Sequence, residues 1–176
     1  GLPDYAELHC VSNFSFLRGA SHPEELVTQA LAQGYRALAL TDECSLAGVV
    51  RAHLALRAAA GACKLIIGSE MRTQEGLRLV FLAMNREGYG NLSALITLAR
   101  RRADKGDYCL QGHDLNAISP NGALPDCLVL WVPDALADGE AAVAAGRWLN
   151  ERFSGRCWIA VELHAGPDDA ARLAQL

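Results

Sequence analysis

Short apolar runs alternate with longer stretches of helical periodicity along the chain, and this alternation limits the fold more than any other feature. A short apolar run between turn signals predicts a buried strand, whereas apolar residues at helical spacing predict a helix. The candidate strands are Leu8–Val11, Ala37–Thr41, Leu65–Ser69, Leu77–Ala83, Leu128–Val132 and Trp158–Leu163. Strands separated in this way predict an α/β fold made of β/α units around a parallel sheet.

The segments between the candidate strands carry helix start and stop signals. Ser21 is a candidate N-cap, since Pro23 and Glu24 suit the first turn of a helix. Gly34 suits the left-handed residue that ends it. The candidate helices are Pro23–Gln33, Leu46–Ala60, about Tyr89–Ala103, Glu140–Arg152 and Asp168–Leu176.

The segment Asp104–Pro125 is rich in glycine and proline, which are loop residues. At about 20 residues it is long for a connection between a strand and a helix. We therefore expect an ordered excursion over the surface.

Size and composition limit the class of protein. With 176 residues, 51% apolar and 20% charged, the chain predicts one globular domain over residues 1–176 rather than a disordered segment. No apolar run is long enough to cross a membrane, and the first residues lack the pattern of a secretory signal. We expect a cytoplasmic protein that does not bind membranes.

The cysteines are scattered, without a C-x-x-C pair. Several lie within or beside apolar runs, as buried free thiols do. Without a secretion signal, a disulfide framework is not expected in a domain of this size. They are Cys10, Cys44, Cys63, Cys109, Cys127 and Cys157.

Three polar residues, His9, Asp42 and Glu70, each stand at the end of a candidate strand. In parallel β/α folds the carboxyl ends of the strands, with the loops that follow them, carry the functional site. The pattern predicts a barrel-like layout in which these three side chains face one mouth.

Several long segments, in the same order along the chain, resemble the amino-terminal PHP (polymerase and histidinol phosphatase) domain of bacterial C-family DNA polymerase III alpha subunits. The likeness is closest to the error-prone, damage-inducible branch, and it extends from about Tyr5 to Asp169. The segments are ELHCVSNFSFLRGASHPEELV, GYRALALTDECSLAGVVRAH, KLIIGSE, FLAMNREGYGNLSALITLARRRADKGDY and WIAVELHAGPDD. The resemblance implies a distorted (β/α)7 TIM-like barrel, here without its last strand or strands, and a fragment of a longer polymerase.

Active members of this family bind up to three metal ions through His, Asp, Glu and sometimes Cys, and they hydrolyse phosphoester bonds. The resemblance places a His-x-His pair at His9 and Val11, where valine cannot coordinate a metal. It places an acid of the family at Arg18. The histidine that usually follows Asp42 is Glu43 in this sequence.

Further along the chain, the resemblance implies a glutamate at Glu70, which is present. It implies a histidine where Arg78 stands, and a cysteine or histidine near Pro133–Asp134. Only His9 and Glu70 match the family pattern, with Glu43 and Asp42 as further oxygens nearby.

Two arginines in such a pocket suggest that internal cations replace the lost metals. We expect Arg18 or Arg78 to pair with Glu43 or Glu70, because a guanidinium binds a carboxylate bidentately and stays charged. In the structural alternative, His9 is a hydrogen-bonded histidine without a ligand role. Glu70 and Asp42 would then cap the helices that follow them.

Two functions remain open for such a site. In the first, the domain is metal-free and catalytically degenerate, and no cofactor or catalytic residue is expected in it. The parent polymerase would use magnesium, and the domain's partners would be the palm and thumb of that polymerase, DNA through the parent, the sliding clamp and mutagenesis accessory proteins. In the second, it is a phosphoesterase or proofreading 3′–5′ exonuclease with a reduced site, where His9, Glu43 and Glu70 hold zinc or manganese.

A basic stretch is the candidate for DNA contact, and it consists of Arg100, Arg101, Arg102 and Lys105. Cations also favour the carboxyl end of a helix, which gives the stretch a structural explanation. The formal net charge of −4 argues against DNA binding as the main role of the domain.

Overall fold

The computed structural model describes residues 4–59, 62–119, 122–133, 139–162, 166–167 and 169–174. Its strands are β1 (Ala6–Cys10), β2 (Ala37–Leu40), β3 (Lys64–Arg72), β4 (Arg78–Ala83), β5 (Cys127–Trp131) and β6 (Cys157–Ile159). Its helices are α1 (Pro23–Ala32), α2 (Val49–Ala58), α3 (Arg86–Arg101), a 3-10 helix (Gly112–Asn116), α4 (Gly139–Arg152) and α5 (Asp169–Ala174). Within these residues, no helix is both long and apolar enough to cross a membrane.

The described strands form one curled sheet in the order β1-β2-β3-β4-β5-β6, which makes a half-barrel. The α/β class is confirmed, but the prediction of a parallel sheet is wrong at its centre, because β4 runs antiparallel to both neighbours. Residues 73–77 join β3 to β4, with Gly76 at a φ of 91°. A connection this short makes a hairpin, since a parallel crossover needs a dozen residues or more.

Strand β4 alternates its side chains between two apolar layers. Leu79 and Phe81 point outward into the larger core, where they meet Leu92 of α3. Val80 and Leu82 point into the concave face of the half-barrel. This period of two places helices on one side of the sheet and leaves the other side for the barrel interior.

Contrary to the expectation from its composition, the described part of the glycine- and proline-rich segment does not run only over the surface. Leu110, Leu115 and Leu124 are fully buried in the larger core. The buried Asp114 accepts a hydrogen bond from Arg102 at 2.5 Å. The segment therefore supplies part of the core, which its loop-like composition did not reveal.

The first helix begins at Pro23, as predicted, but its N-cap lies one residue later than the sequence signals suggest. The N-cap is His22 and not Ser21, and the backbone N–H of His22 donates to the Glu25 carboxylate at 2.7 Å. That reciprocal contact belongs to the capping box, which satisfies exposed N–H groups at a helix start. The predicted stop is confirmed, since Gly34 has a φ of 73°.

All six cysteines are free thiols, which confirms that no disulfide framework holds the fold. Burial raises the pKa of Cys10 and Cys44 to about 11 and that of Cys127 to about 12. These thiols are protonated at neutral pH and behave as small apolar side chains.

Two glycines of α3 make a matched test of the packing. A Cβ at Gly88 would lie 2.0 Å from the carbonyl oxygen of Asp126, whereas a Cβ at Gly90 would meet nothing within 4 Å. We expect Gly88→Ala to lower the free energy of unfolding by about 1–3 kcal/mol, because the helix must move away from the Asp126 backbone.

Gly90→Ala is the control, and it should raise the free energy of unfolding by about 0.5–1 kcal/mol through helix propensity alone. Urea unfolding followed by circular dichroism measures both changes. Equal effects of the two substitutions would contradict the close packing of α3 on the Asp126 backbone.

Candidate functional site

Side chains of alternating charge form a continuous row at the mouth of the half-barrel. Neighbours along the row are joined by hydrogen-bonded ion pairs. In spatial order, the members of this charged row are Glu43, Arg18, Glu70, His9, Glu162 and Arg78. The row joins β1, β3 and β4 to the loops after β1 and β2 and to the segment after β6.

His9 lies at the centre of the row with a carboxylate on each side. Its Nε2 is 2.6 Å from the Glu70 carboxylate, and its Nδ1 contacts the carboxylate of Glu162. Burial lowers the pKa of His9, but the two carboxylates outweigh this effect and raise the pKa above its usual value. An imidazolium can donate from both nitrogens, and it then has no lone pair for a metal.

Arg18 pairs with both glutamates, which confirms the expectation that an arginine holds these carboxylates. Its guanidinium donates to the Glu70 carboxylate at 2.5 and 3.0 Å and to the Glu43 carboxylate at 2.9 Å. The side chain of Glu70 is only 3% exposed. Burial raises the pKa of Glu70, but hydrogen bonds from His9 and Arg18 outweigh it and hold the pKa at about 2.

The expectation named either arginine, and Arg18 meets it, whereas Arg78 has a different partner among the described residues. Arg78 is opposite Arg72 in the β3–β4 register, whereas Glu70 is opposite Val80. Its guanidinium instead donates to the Glu162 carboxylate at 2.7 Å.

Sequence reasoning did not assign Glu162 to the site. Its carboxylate contacts both His9 and Arg78, and these partners lower its pKa although burial raises it. The available signal was its position, because Glu162 closely follows β6 just as Glu43 closely follows β2. Its contact with His9 connects the first and the last described strands of the sheet.

Asp42 is buried beside the row but holds the loop after β1. Its carboxylate accepts from the backbone N–H of Ser12 at 2.7 Å, from the Ser12 hydroxyl at 2.8 Å and from the Ser15 hydroxyl at 2.7 Å. The helix-cap alternative is wrong for Asp42, because α2 begins only at Val49. It is also wrong for Glu70, which lies inside β3.

Glu43 is held from a second side by the long segment before β5. The Tyr108 hydroxyl donates to the Glu43 carboxylate at 3.0 Å, and burial together with that carboxylate raises the pKa of the phenol. Arg100 donates to the carbonyl oxygens of Glu43 and Cys44 at 3.2–3.3 Å and lies over the Tyr108 ring. These contacts therefore attach the charged row to α3 and to the long segment, which both contribute to the larger core.

Of the basic stretch proposed for DNA contact, two members are engaged inside the domain. Arg100 binds the carbonyls after β2, and Arg102 binds the buried Asp114. Arg101 and Lys105 are exposed at the end of α3 and beyond it.

The donor set does not fit a metal ion. The carboxylates of Glu43 and Glu70 are both paired with Arg18, both nitrogens of His9 face carboxylates, and Val11 has no coordinating atom. Across the described ranges, no group of three or more His, Cys, Asp or Glu side chains is arranged to hold a metal. Pro133 is described, but Asp134 lies outside the described residues.

Two bacterial DNA polymerases have sequences similar to that of this chain. The chain is 72% identical over 175 residues to the error-prone DNA polymerase of Dechloromonas aromatica (strain RCB), and covers 16% of that protein. It is 56% identical to the error-prone DNA polymerase of Azoarcus sp. (strain BH72), of which it covers 18%. These matches include 99% and 98% of this chain, so it spans less than a fifth of each relative.

Solved structures show the same architecture. A crystal structure from Bifidobacterium adolescentis, of a protein assigned as a metal-dependent phosphoesterase, superimposes with a TM-score of 0.66 and 15% identity. The superposition covers 99% of this chain and 83% of that protein, and it supports a partial TIM-like barrel. The sequence profile of the PHP domain matches residues 7–123. The half-barrel, its charged mouth and this match together show that the chain belongs to the PHP domain family.

Proposed function

We propose that this chain is the amino-terminal PHP domain of an error-prone DNA polymerase and that it acts there as a metal-free, catalytically inactive structural module. The high sequence identity to two error-prone polymerases supports this assignment of the parent protein. The parent would carry out DNA-directed synthesis during repair and damage-induced mutagenesis, in the cytoplasm where the chromosome is. Its palm would hold the magnesium ions of that reaction.

The position of Arg18 is the observation that carries the structural role. Its guanidinium lies within 3.0 Å of both Glu43 and Glu70, so a fixed cation occupies the place between the carboxylates. Clustered catalytic metals need several anionic or neutral ligands around them, and they are disfavoured beside a permanent positive charge. Over the whole row, the three carboxylates face two guanidiniums and the imidazolium of His9, so their charges can balance without a metal.

Exposed apolar surface supports a docking role within the longer polymerase. A cavity of about 1070 Å³ opens between β1 and β6, and Leu8, Trp158 and Ile159 line it. Their exposed fractions are 39%, 49% and 49%. Apolar patches of this kind mark protein contacts, and the palm and thumb of the parent would supply them. Other parts of the parent polymerase would then make the contacts with DNA, the sliding clamp and mutagenesis accessory proteins.

The alternative, a phosphoesterase or proofreading exonuclease with a reduced site, requires a different arrangement. His9, Glu43 and Glu70 would have to release their present partners and turn toward one zinc or manganese ion. No contact among the described residues favours that rearrangement, because each of the three side chains is already paired.

Metal content tests the proposal directly. We expect the protein, purified without chelators or a metal-binding tag, to contain no stoichiometric zinc or manganese by elemental mass spectrometry. Incubation with either metal should leave its thermal unfolding midpoint unchanged, because Arg18 repels a cation from the site. One tightly bound ion per chain, with metal-stimulated hydrolysis that Glu70→Ala abolishes, would establish the hydrolase alternative.

Two substitutions provide a positive control for the metal experiment. Val11→His with Arg18→Asp restores the residue types that the family resemblance implies at these positions. The double variant should bind metal more tightly than Val11→His alone, in which the guanidinium remains. Equal binding by the two variants would show that Arg18 does not exclude metal.

Removing the guanidinium tests how far Glu70 depends on it. We expect Arg18→Met to lower the free energy of unfolding by about 1–3 kcal/mol, because a buried carboxylate loses its hydrogen-bond donors. The same substitution should cost less in a Glu70→Gln background, where no buried charge remains. Urea unfolding of the double-mutant cycle measures this coupling.

Arg51→Met is the matched control, since Arg51 pairs with Glu24 on the surface. Exposed ion pairs contribute little to stability, so the free energy of unfolding of this variant should be close to that of the unsubstituted domain. If Arg18→Met behaves like Arg51→Met, the row does not stabilise the domain.

The charged row also predicts a stability maximum in mildly acidic solution. The pKa of Glu70 is lowered to about 2 from 4.5, so its contribution is present above pH 4.5 and is lost as the pH falls toward 2. The pKa of His9 is raised above 6.5, so its contribution is present below pH 6.5 and is lost at higher pH. Stability should be greatest between about pH 4.5 and 6.5.

Unfolding midpoints across pH 3–9 measure this dependence. His9→Gln should flatten the alkaline side of the curve, while Glu70→Gln should reduce the acidic side. An unchanged alkaline side in His9→Gln would contradict a protonated His9.

A further inference from the structure

The loop after β1 displays large apolar side chains in water. Phe16 is 85% exposed and Leu17 is 90% exposed, and Phe14 beside them is 38% exposed. We name the three residues together the apolar tip. Exposed single apolar residues are common, but a contiguous group at the end of a loop indicates a contact surface.

The loop that carries the tip is built rigidly. Ser12 and Ser15 both donate to the buried Asp42 carboxylate, and the backbone N–H of Asn13 donates to the carbonyl of Ser21 at 2.9 Å. A Cβ at Gly19 would lie 2.0 Å from the carbonyl oxygen of Ser12, so the two ends of the loop touch. The tip is therefore held in one orientation before it meets a partner, which lowers the entropic cost of binding.

Leu17 has a φ of 60°, a left-handed conformation that is unfavourable for leucine. Hydrogen bonds hold the turn, since the backbone N–H groups of Arg18 and Gly19 both donate to the Ser15 carbonyl at 3.0 Å. The turn directs the Arg18 side chain inward to Glu70 and leaves Leu17 in water. Glycine would fit this backbone without strain, so the leucine side chain has a use that its own domain does not explain.

The charge around the tip argues for a protein partner. The guanidinium of Arg18 is already paired with Glu43 and Glu70, so it is not presented to phosphates. A formal net charge of −4 opposes contact with nucleic acid or an anionic membrane. The relatives are about six times longer than the matched segment, so most of the polypeptide lies outside this chain.

We propose that the apolar tip inserts into an apolar pocket on the remaining part of the same polymerase polypeptide. This inference rests on the proposed function, because it assumes that the chain is one domain of that longer protein. The tip anchors the domain, and it is a contact separate from the cavity between β1 and β6.

Photocrosslinking in the full-length polymerase tests the inference. Leu17→p-benzoylphenylalanine should give crosslinks, after irradiation and peptide mapping, to residues beyond position 176. Their yield should not change on dilution, because the contact is intramolecular. The control is Val50→p-benzoylphenylalanine on α2, where Val50 is 65% exposed, and its yield should be several-fold lower.

Each other outcome overturns the proposal in a recognisable way. A concentration-dependent product of twice the mass would indicate a second copy, and a product with added DNA or lipid vesicles would indicate those partners. Crosslinks from position 50 but not from position 17 would show docking by another face, and the structural role would survive. If neither position crosslinks to the rest of the polypeptide, the proposal for the tip fails, whereas docking through the cavity between β1 and β6 would still stand.

A second variant separates docking from local folding. Leu17→Gly relieves the backbone strain, so in the absence of docking it should leave the domain's thermal unfolding within the full-length protein unchanged or raise its midpoint. With docking, the midpoint should fall, and Phe16→Ser should add to the loss. Val50→Ser with Leu54→Ser removes comparable exposed apolar residues of α2 and should cause no such fall. A thermal unfolding midpoint of Leu17→Gly at or above that of the unsubstituted protein would overturn the proposal.

Discussion

The rest of the mouth depends on one constraint, which is the burial of the Glu70 carboxylate. A buried charge without a partner costs several kcal/mol, so a cation must stand beside Glu70 for the sheet to close around it. A family site supplies metals for this purpose, whereas this chain supplies the guanidinium of Arg18 and the imidazolium of His9. In the proposed metal-free role, this replacement would retain the charge balance and would remove the open coordination position that hydrolysis requires.

The same row positions elements that lie far apart in the chain. His9 on β1 contacts Glu70 on β3 and Glu162 after β6, and Arg78 on β4 binds the outer side of Glu162. Glu70 and Glu162 are each bound by two cationic side chains, and Glu43 is bound by Arg18 and the Tyr108 hydroxyl, so the neighbours fix the rotamer of each carboxylate. Ion pairs of this kind can therefore select the curvature of the half-barrel independently of any catalytic role.

The sequence predicted those features of the fold and of the site that depend on a local pattern of residues, and it missed those that depend on contacts between distant parts of the chain. Strand positions follow from short apolar runs, and the partners of Arg18 follow from the family positions of Glu43 and Glu70. The reversal of β4 depends on a short hairpin at residues 73–77, which the β/α pattern concealed. Glu162 joins His9 only through the closure of the sheet, and no local pattern reports a contact over that distance. Leu110 and its neighbours are buried through tertiary packing that overrides a loop-like composition.

One turn of backbone connects the charged row with the apolar tip. At Leu17 the chain adopts a positive φ, after which the Arg18 side chain enters the row while Phe16 and Leu17 remain in water. In this sequence, the cation that balances Glu70 and the apolar tip are therefore adjacent residues of one rigid loop. The contacts of the Arg18 side chain add to the hydrogen bonds of Ser12 and Ser15 that hold the loop, so the internal charge balance also helps to position the tip. This coupling gives a physical reason for retaining a costly buried ion pair where an apolar replacement would be simpler.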